Sequence, residues 1–257
     1  MAVEYGQLKI TRVSSRQNPK IQSLRRLGAD AGFRRQAGVY LCDGVKLLAD
    51  ALRSGAPVRS VLAAEEIALP ALPGGCEVLI CPRDIANAVS PSRAPQGLVF
   101  TVDMPAPLPA PPERGRYLLL ESLQDPGNVG SILRTAEAFS LSGVYLTSGC
   151  ADPYGPKAVR AGMGAQFRLP VGFYEGAAPP AGKLPVYAAA AREKARPVEW
   201  LRGQDCIVML GSEGGGLSGG FLSGADGLVA IPMPGGAESL GVAAAAAVVC
   251  YWMGRQG

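Results

Sequence analysis

No histidine stands anywhere in the 257 residues. That absence removes the Ser-His-Asp and Cys-His nucleophile devices and the common zinc hydrolase ligand sets. Proton transfer is left to a carboxylate, a lysine, a tyrosine, a cysteine, water or the substrate itself. Paired cysteines are missing too: the six thiols, at 42, 76, 81, 150, 206 and 250, make no C-x-x-C and no metal-finger spacing. Free, mostly buried thiols and no bound metal are the expectation. The opening MAVEYGQLKI carries an acid and no apolar h-region, so no secretory signal is expected. The longest apolar run, Leu240 to Met253, is mostly alanine and too short for a bilayer. No membrane contact and a cytoplasmic location follow as expectations. There is no G-x-x-x-x-G-K-[ST] phosphate loop and no internal repeat.

Charge is sparse, 18% of residues against 48% hydrophobic, which is the balance of a globular chain. The net +4 is unevenly spread. Residues 1–35 hold eight Lys and Arg against Glu4 and Asp30, a local +6, whereas 101–257 hold 12 basic and 13 acidic side chains, a balance of −1. A basic front on a neutral body fits contact with a polyanion, whose phosphates release counterions when neutralised. A solvated amphipathic helix is the plainer alternative.

The periodicity predicts a helix from Asn18 to Arg35, with Ile21, Leu24 and Leu27 inward and Lys20, Arg25, Arg26, Arg34 and Arg35 wet. Strands are predicted at 39–42, 58–63, 78–81 and 97–102, with helices at 45–53 and 84–89. This alternation makes a small three-layer α/β domain, residues 1–102. Residues 103–116, DMPAPLPAPPERGR, hold five prolines and read as a stiff linker. The second domain, 117–257, alternates again. Strands are predicted at 117–120, 144–147, 167–171, 186–190, 206–210 and 228–231. Helical pieces are predicted after Asn128 and at 156–163, 197–201 and 239–253. Such alternation predicts a parallel, helix-covered sheet with its site beyond the C-terminal strand ends.

Three strand-to-loop junctions carry the chemistry. In the first, Tyr117–Leu120 runs into Gln124-Asp125-Pro126-Gly127-Asn128. Val129, Ile132, Leu133, Ala136 and Phe139 then recur at helical spacing. Asn128 is the expected N-cap, and Arg134 lies six residues into the helix. In the second, 206–210 runs into Gly211–Ser218; in the third, 228–231 runs into Pro232–Gly241. Glycines there let the backbone approach a ligand closely. Residues 214–219 formally match G-x-G-x-x-G. Only 38 residues follow, however, and Glu238 is poorly placed for a ribose, which argues against a nicotinamide cofactor.

Together DPGNVGSILRTAEAF (125–139), VRAGMGAQFRLPV (159–171), LGSEGGGLS (210–218) and IPMPGGAESLGVAAAAAV (231–248) resemble the motifs of SpoU-type RNA ribose 2'-O-methyltransferases of the SPOUT superfamily. SSRQNPKIQSLRRL (14–27), YLCDGVKLLADAL (40–52) and PQGLVF (95–100) resemble that family's ribosomal-protein-like substrate-binding domain. The resemblance implies a deep trefoil knot in the C-terminal domain, S-adenosylmethionine bound in the knot, a homodimer and an RNA substrate, rRNA first and tRNA second. It places the cofactor on Leu210, Gly211, Ser212, Ile231, Met233 and Leu240. Arg134 matches the family's essential arginine, with Asn128 and Ser239 on the hydroxyl side. Glu213 either braces its loop or touches substrate. RNA would be held by Arg16, Lys20, Arg25, Arg26, Arg34, Arg35 and Arg160. Two positions depart from the pattern: Gly241 replaces the asparagine of Ser-Leu-Asn, and Gly162 replaces a common serine. The missing amide keeps a second reading open, a non-catalytic RNA-binding relative.

Overall fold

The computed structural model describes residues 8–109, 112–192, 194–237 and 239–255. The chain divides into two compact units, one of residues up to 105 with 154–167, the other of 106–153 with 168 onward.

The first unit contains β1 (Lys9–Arg12), α1 (Pro19–Ala29), α2 (Ala31–Ala37), β2 (Val39–Asp43), α3 (Val45–Arg53), β3 (Val58–Ala64), β4 (Glu77–Cys81), α4 (Arg83–Val89) and β5 (Leu98–Asp103). Its sheet runs β1-β4-β3-β5-β2, with β5 antiparallel to both neighbours and the other pairs parallel. Strand side chains alternate between faces, and the alternation sorts them into two cores. Tyr40, Cys42, Val61, Ala63, Leu98 and Phe100 pack with Leu48 and Ala51 of α3. Leu41, Leu62, Ala64 and Val99 pack with Ile21, Leu24 and Leu27 of α1 and with Ile85 and Val89 of α4. This is the three-layer arrangement the alternation predicts.

Two expectations are corrected here. The helix predicted over 18–35 is two helices, because Asp30 leaves the helical region (φ −117°, ψ 108°) and caps the second with its carboxylate on Phe33 N at 2.9 Å. Aspartate competes for backbone donors in this way. The resulting turn carries Arg34 inward: it is buried (4% exposed), with Nη1 donating to Leu27 O at 2.6 Å, so it is not the wet side chain expected. The edge strand β1 was not predicted at all. Its sequence, KITR, is short and mostly exposed, and its apolar Ile10 faces solvent.

The second unit contains β6 (Arg116–Leu120), α5 (Pro126–Ala138), β7 (Gly143–Thr147), then, past an excursion, β8 (Val171–Tyr174), β9 (Val186–Ala189), β10 (Arg196–Pro197), β11 (Cys206–Leu210), a short helix Gly219–Ser223, β12 (Gly227–Ala230) and the C-terminal helix Val242–Gly254. All pairs are parallel, in the order β10-β12-β9-β11-β6-β7-β8. Strands β6, β7 and β11 are apolar and buried almost end to end, as a sheet covered on both faces requires. The 103–116 stretch is not free of the body: Leu108 N donates to Val171 O at 3.0 Å, and Tyr145 Oη to Pro109 O at 2.6 Å.

The excursion between β7 and β8 holds a helix, Pro156–Gly162, and a 3-10 turn, Ala165–Phe167. Its Tyr154 and Val159 join the core of the first unit, with Tyr154 and Tyr40 ring centroids 5.0 Å apart. The strand predicted at 167–171 therefore begins only at Val171. Pro170 lacks the N–H a ladder needs, and its carbonyl instead accepts from Val144 N. The last helix begins at Val242, not Ser239. Among the described residues of 232–240 none is helical, and Gly241 is the cap.

Candidate active site

Three strand ends converge through hydrogen bonds that the residue types dictate. At the end of β6, Pro126 takes the first position of α5, where its missing N–H costs nothing. Asp125 caps the helix, accepting from Gly127 N at 2.6 Å. Asn128, expected as that cap, is thereby released. Its Nδ2 donates instead to Glu213 Oε1 at 2.7 Å, across to the loop after β11. The same loop is held at its far end by Glu121, a buried carboxylate (9% exposed) whose Oε2 accepts from Ser218 N at 2.8 Å. Ser212 and Gly216 close the loop on itself with paired backbone bonds of 3.1 and 3.0 Å. Gly211 is required there, since a Cβ would run into the backbone of Gly216 and Leu217.

Beside that loop, a cavity of about 330 Å³ opens at the C-terminal ends of β9, β11 and β12. Leu210, Gly211, Ser212, Glu213, Ile231, Met233, Ser239 and Leu240 all line it. Every expected cofactor residue is thus on one wall or another, together with two of the four expected catalytic ones. Among the described residues from Pro232 to Leu240, no backbone group is bonded within the chain. Met233, Ser239 and Leu240 of this segment line the partly apolar hollow, the arrangement small-molecule sites use. Gly241 also lines it, and an added Cβ there would meet nothing within 4 Å. The backbone does not demand glycine at 241; the missing side chain simply leaves space.

Arg134 does not line the cavity. It is exposed on α5 and takes no ion pair or hydrogen bond among the described residues. The thiols nearby are unreactive: burial pushes Cys206 and Cys250 up to about 12 and raises Cys150 as well, so none is a thiolate at neutral pH. Among the described residues no group of three or more His, Cys, Asp or Glu could hold a metal ion, and no helix is long and apolar enough to cross a membrane.

The expected RNA contacts lie in the first unit and differ in availability. Arg16 pairs with Asp84 at 2.8 Å, Lys20 with Glu77, and Arg26 with Asp30 at 3.2 Å while lying 4.4 Å over the Phe33 ring. Arg25, Arg35 and Arg160 are exposed. Gly162, where the resemblance expects serine, leaves no room for a Cβ, because the buried Gln166 amide fills that space and donates to Ala158 O at 3.2 Å.

Residues 115–251 match the model of the SpoU rRNA Methylase family, which is more than half of the chain. The chain belongs to the SpoU rRNA methylase family. Residues 18–99 match the MRM3-like substrate binding domain. The chain is 30% identical over 245 residues to the 23S rRNA (guanosine(2553)-2'-O)-methyltransferase of Bacillus subtilis, covering 93% of this chain and 97% of that one. It is 31% identical to the 23S rRNA (uridine(2479)-2'-O)-methyltransferase of Streptomyces viridochromogenes, covering 95% and 92%. Its fold is similar to that of a SpoU methyltransferase from Streptomyces viridochromogenes solved with AdoMet, with TM-score 0.79, 25% identity and coverage of 93% and 97%.

Within this SpoU chain, two sets of residues escaped the sequence reading. Ala189–Ala191 and Val198 form a wall of the cavity, yet small apolar residues after a strand carry no chemical signal. Glu121 did carry one: an acid immediately after the buried run Tyr117–Leu120, at a strand's C-terminal end, where α/β sites are built.

Proposed function

We propose that this chain is an S-adenosylmethionine-dependent RNA (ribose-2'-O)-methyltransferase acting on rRNA, with residues 1–102 binding substrate RNA, 103–116 linking and 117–257 carrying the reaction. The observation that supports it most is the single cavity at three strand ends, walled by the glycine loop and the open 232–241 segment. Its chemistry suits the cofactor. Leu210, Ile231, Met233 and Val249 offer apolar faces to an adenine ring, and the backbone of Met233, Ser239 and Leu240, unbonded among the described residues, offers donors and acceptors to its edge. When bound, the cofactor supplies an electrophilic methyl group on a cationic sulfur.

The chain's own residues supply position. A guanidinium keeps its proton in proteins and so offers no site to accept another, which makes Arg134 a positioning group and not a base. Its planar fork suits the phosphate beside the acceptor ribose, held bidentately, and alignment of this kind can contribute a large share of the rate. Asn128 fixes the Glu213 carboxylate and so the floor of the loop. Ser239 stands on the cavity wall toward the ribose hydroxyl. That hydroxyl's proton leaves to the neighbouring phosphate or to water, the chain having no histidine to offer.

The chain folds its C-terminal domain as a trefoil knot and works as a cytoplasmic homodimer. The dimer face we assign is where α5 meets the C-terminal helix. There Phe139 packs edge-on against Tyr251 at 5.8 Å, and Tyr251 is 41% exposed. Labelled cofactor with rRNA from cells lacking this protein tests the reading: methyl transfer that maps to a ribose 2'-oxygen is expected. A protein that binds the RNA yet transfers nothing, with no thermal shift on adding cofactor, is instead the non-catalytic relative to which the open space at Gly241 points.

A further inference from the structure

The cavity wall between Ala191 and Val198 is not explained by cofactor binding alone. Its two ends line the hollow, and between them the sequence puts three cations, Arg192, Lys194 and Arg196, all exposed, with Glu193 lying outside the described residues. The Arg196 guanidinium lies 4.1 Å over the Trp200 ring, and Trp200 in turn packs edge-on against Tyr187 at 5.0 Å. Apart from that ring it takes no carboxylate or hydrogen-bond acceptor among the described residues. Stacking on an aromatic face fixes a guanidinium's plane while leaving its N–H edge outward. Among the described residues this exposed, pre-oriented fork has no acid attached, unlike Arg16, Lys20 and Arg26 of the first unit, each of which has a carboxylate.

We infer that Arg192, Lys194 and Arg196 form a phosphate-binding site for substrate RNA at the rim of the cofactor cavity, with Arg196 on its Trp200 platform as the principal contact. This rests on the reading of the chain as an RNA methyltransferase and adds a second contact area, inside the catalytic unit. A phosphate gripped there would fix the strand close to the transfer point, whereas contacts on the first unit fix only the RNA body. Arg192 and Lys194 add point charges without the same orientation.

The test compares wild type, Arg196→Gln and Lys194→Gln for binding an in-vitro transcribed, unmodified 23S rRNA fragment across a salt series, with cofactor affinity measured by calorimetry on each. The expected result is a roughly 5- to 10-fold weaker RNA affinity for Arg196→Gln, a smaller loss for Lys194→Gln, and a salt slope reduced by about 1 in the former. Cofactor affinity and melting temperature stay unchanged. Wild type that binds RNA alongside an Arg196→Gln variant with the same affinity and slope overturns the site. So does a variant whose cofactor affinity falls as much as its RNA affinity, since these residues would then be only a wall. A change in oligomeric state without a change in RNA binding assigns the patch to a protein contact and also overturns it. Failure of wild type itself to bind RNA at any salt strikes the parent reading instead, and is seen separately.

Discussion

The two units use the same alternation of strand and helix but engage their cations to different degrees. In the first, the surplus of Lys and Arg is largely engaged: Arg12 with Glu65, Arg16 with Asp84, Lys20 with Glu77, Arg59 with Asp103 and Arg83 with Glu66, while Arg34 is buried on a carbonyl. In the second, which is close to neutral, Arg168 pairs with Glu137 and Lys183 with Glu113, but Arg134 and Arg196 stand exposed with no acid among the described residues. The difference teaches that a count of charges locates a polyanion only coarsely. What matters at a site is which cations are left without a partner, because an unpaired guanidinium is available for a phosphate without first breaking a bond.

Removing Arg134 is the sharpest way to break that contrast. Arg134→Ala should lower kcat on the order of 10²–10³-fold, the loss typical when one preorganised charged donor is taken from a transition state. Cofactor affinity and fold should persist, since the side chain is exposed and unbonded. Single-turnover methyl transfer alongside calorimetry separates the two effects, and an unchanged rate would remove Arg134 from the reaction.

The next effect is steric. Gly211→Ala would push a methyl into the backbone of Gly216 and Leu217. The loop must then open, at a cost of about 1–3 kcal/mol, and it takes with it both the Ser212–Gly216 closure and one cavity wall. Denaturant melts should show the loss, and cofactor titration should show weakened binding. Gly241→Ala should do neither, because open space surrounds that position. The pair tests whether the cavity's glycines are there for the backbone or for the ligand.

The strands that carry the site were legible because parallel, twice-covered strands must be apolar throughout. The runs 117–120 and 206–210 meet that demand, whereas the strand expected at 228–231 is Gly227–Ala230 and mostly half-buried. Helix ends were less legible, since capping is a competition. Asp125 and Asn128 are both good caps, and only the loop three-dimensionally opposite, with Glu213, decides which one leaves. Asp30 split a helix whose periodicity ran on through it. Periodicity likewise placed Arg34 outside, because it assumes one axis where the chain has two. The packing of 154–167 with the first unit was invisible, for a domain boundary inferred from composition has to be contiguous.

Both units hide their thiols, and alkaline pH compares them. Burial raises Cys76 and Cys81 of the first unit to about 11, and Cys206 and Cys250 of the second to about 12. An acid whose folded value lies above its unfolded one keeps its proton in the native state while the unfolded chain ionises. Stability is therefore intact below the ordinary thiol value near 9 and falls as pH rises through the window toward 11 or 12. Each buried thiol contributes at most about 1.4 kcal/mol per pH unit within that window. Chemical denaturation at pH 8, 9.5 and 10.5 should show a declining midpoint, and Cys250→Ala should flatten the decline relative to its own value at pH 8.

The smallest effect returns to the basic front. Arg16 and Asp84 form an exposed pair, and such pairs are worth about 0–1 kcal/mol. Arg16→Ala should therefore leave thermal stability almost unchanged. Its consequence for RNA should also be the lesser one, because phosphate must displace Asp84 before it gains the guanidinium. Arg25, exposed on the same helix α1 and without an acid partner among the described residues, faces no such competition. Arg25→Ala should thus weaken RNA binding more than Arg16→Ala, and Asp84→Asn should strengthen it by freeing Arg16. Filter binding at one fixed salt concentration orders the three variants. An Arg16→Ala loss equal to that of Arg25→Ala would mean that ion pairing on this surface does not govern which cations reach the RNA.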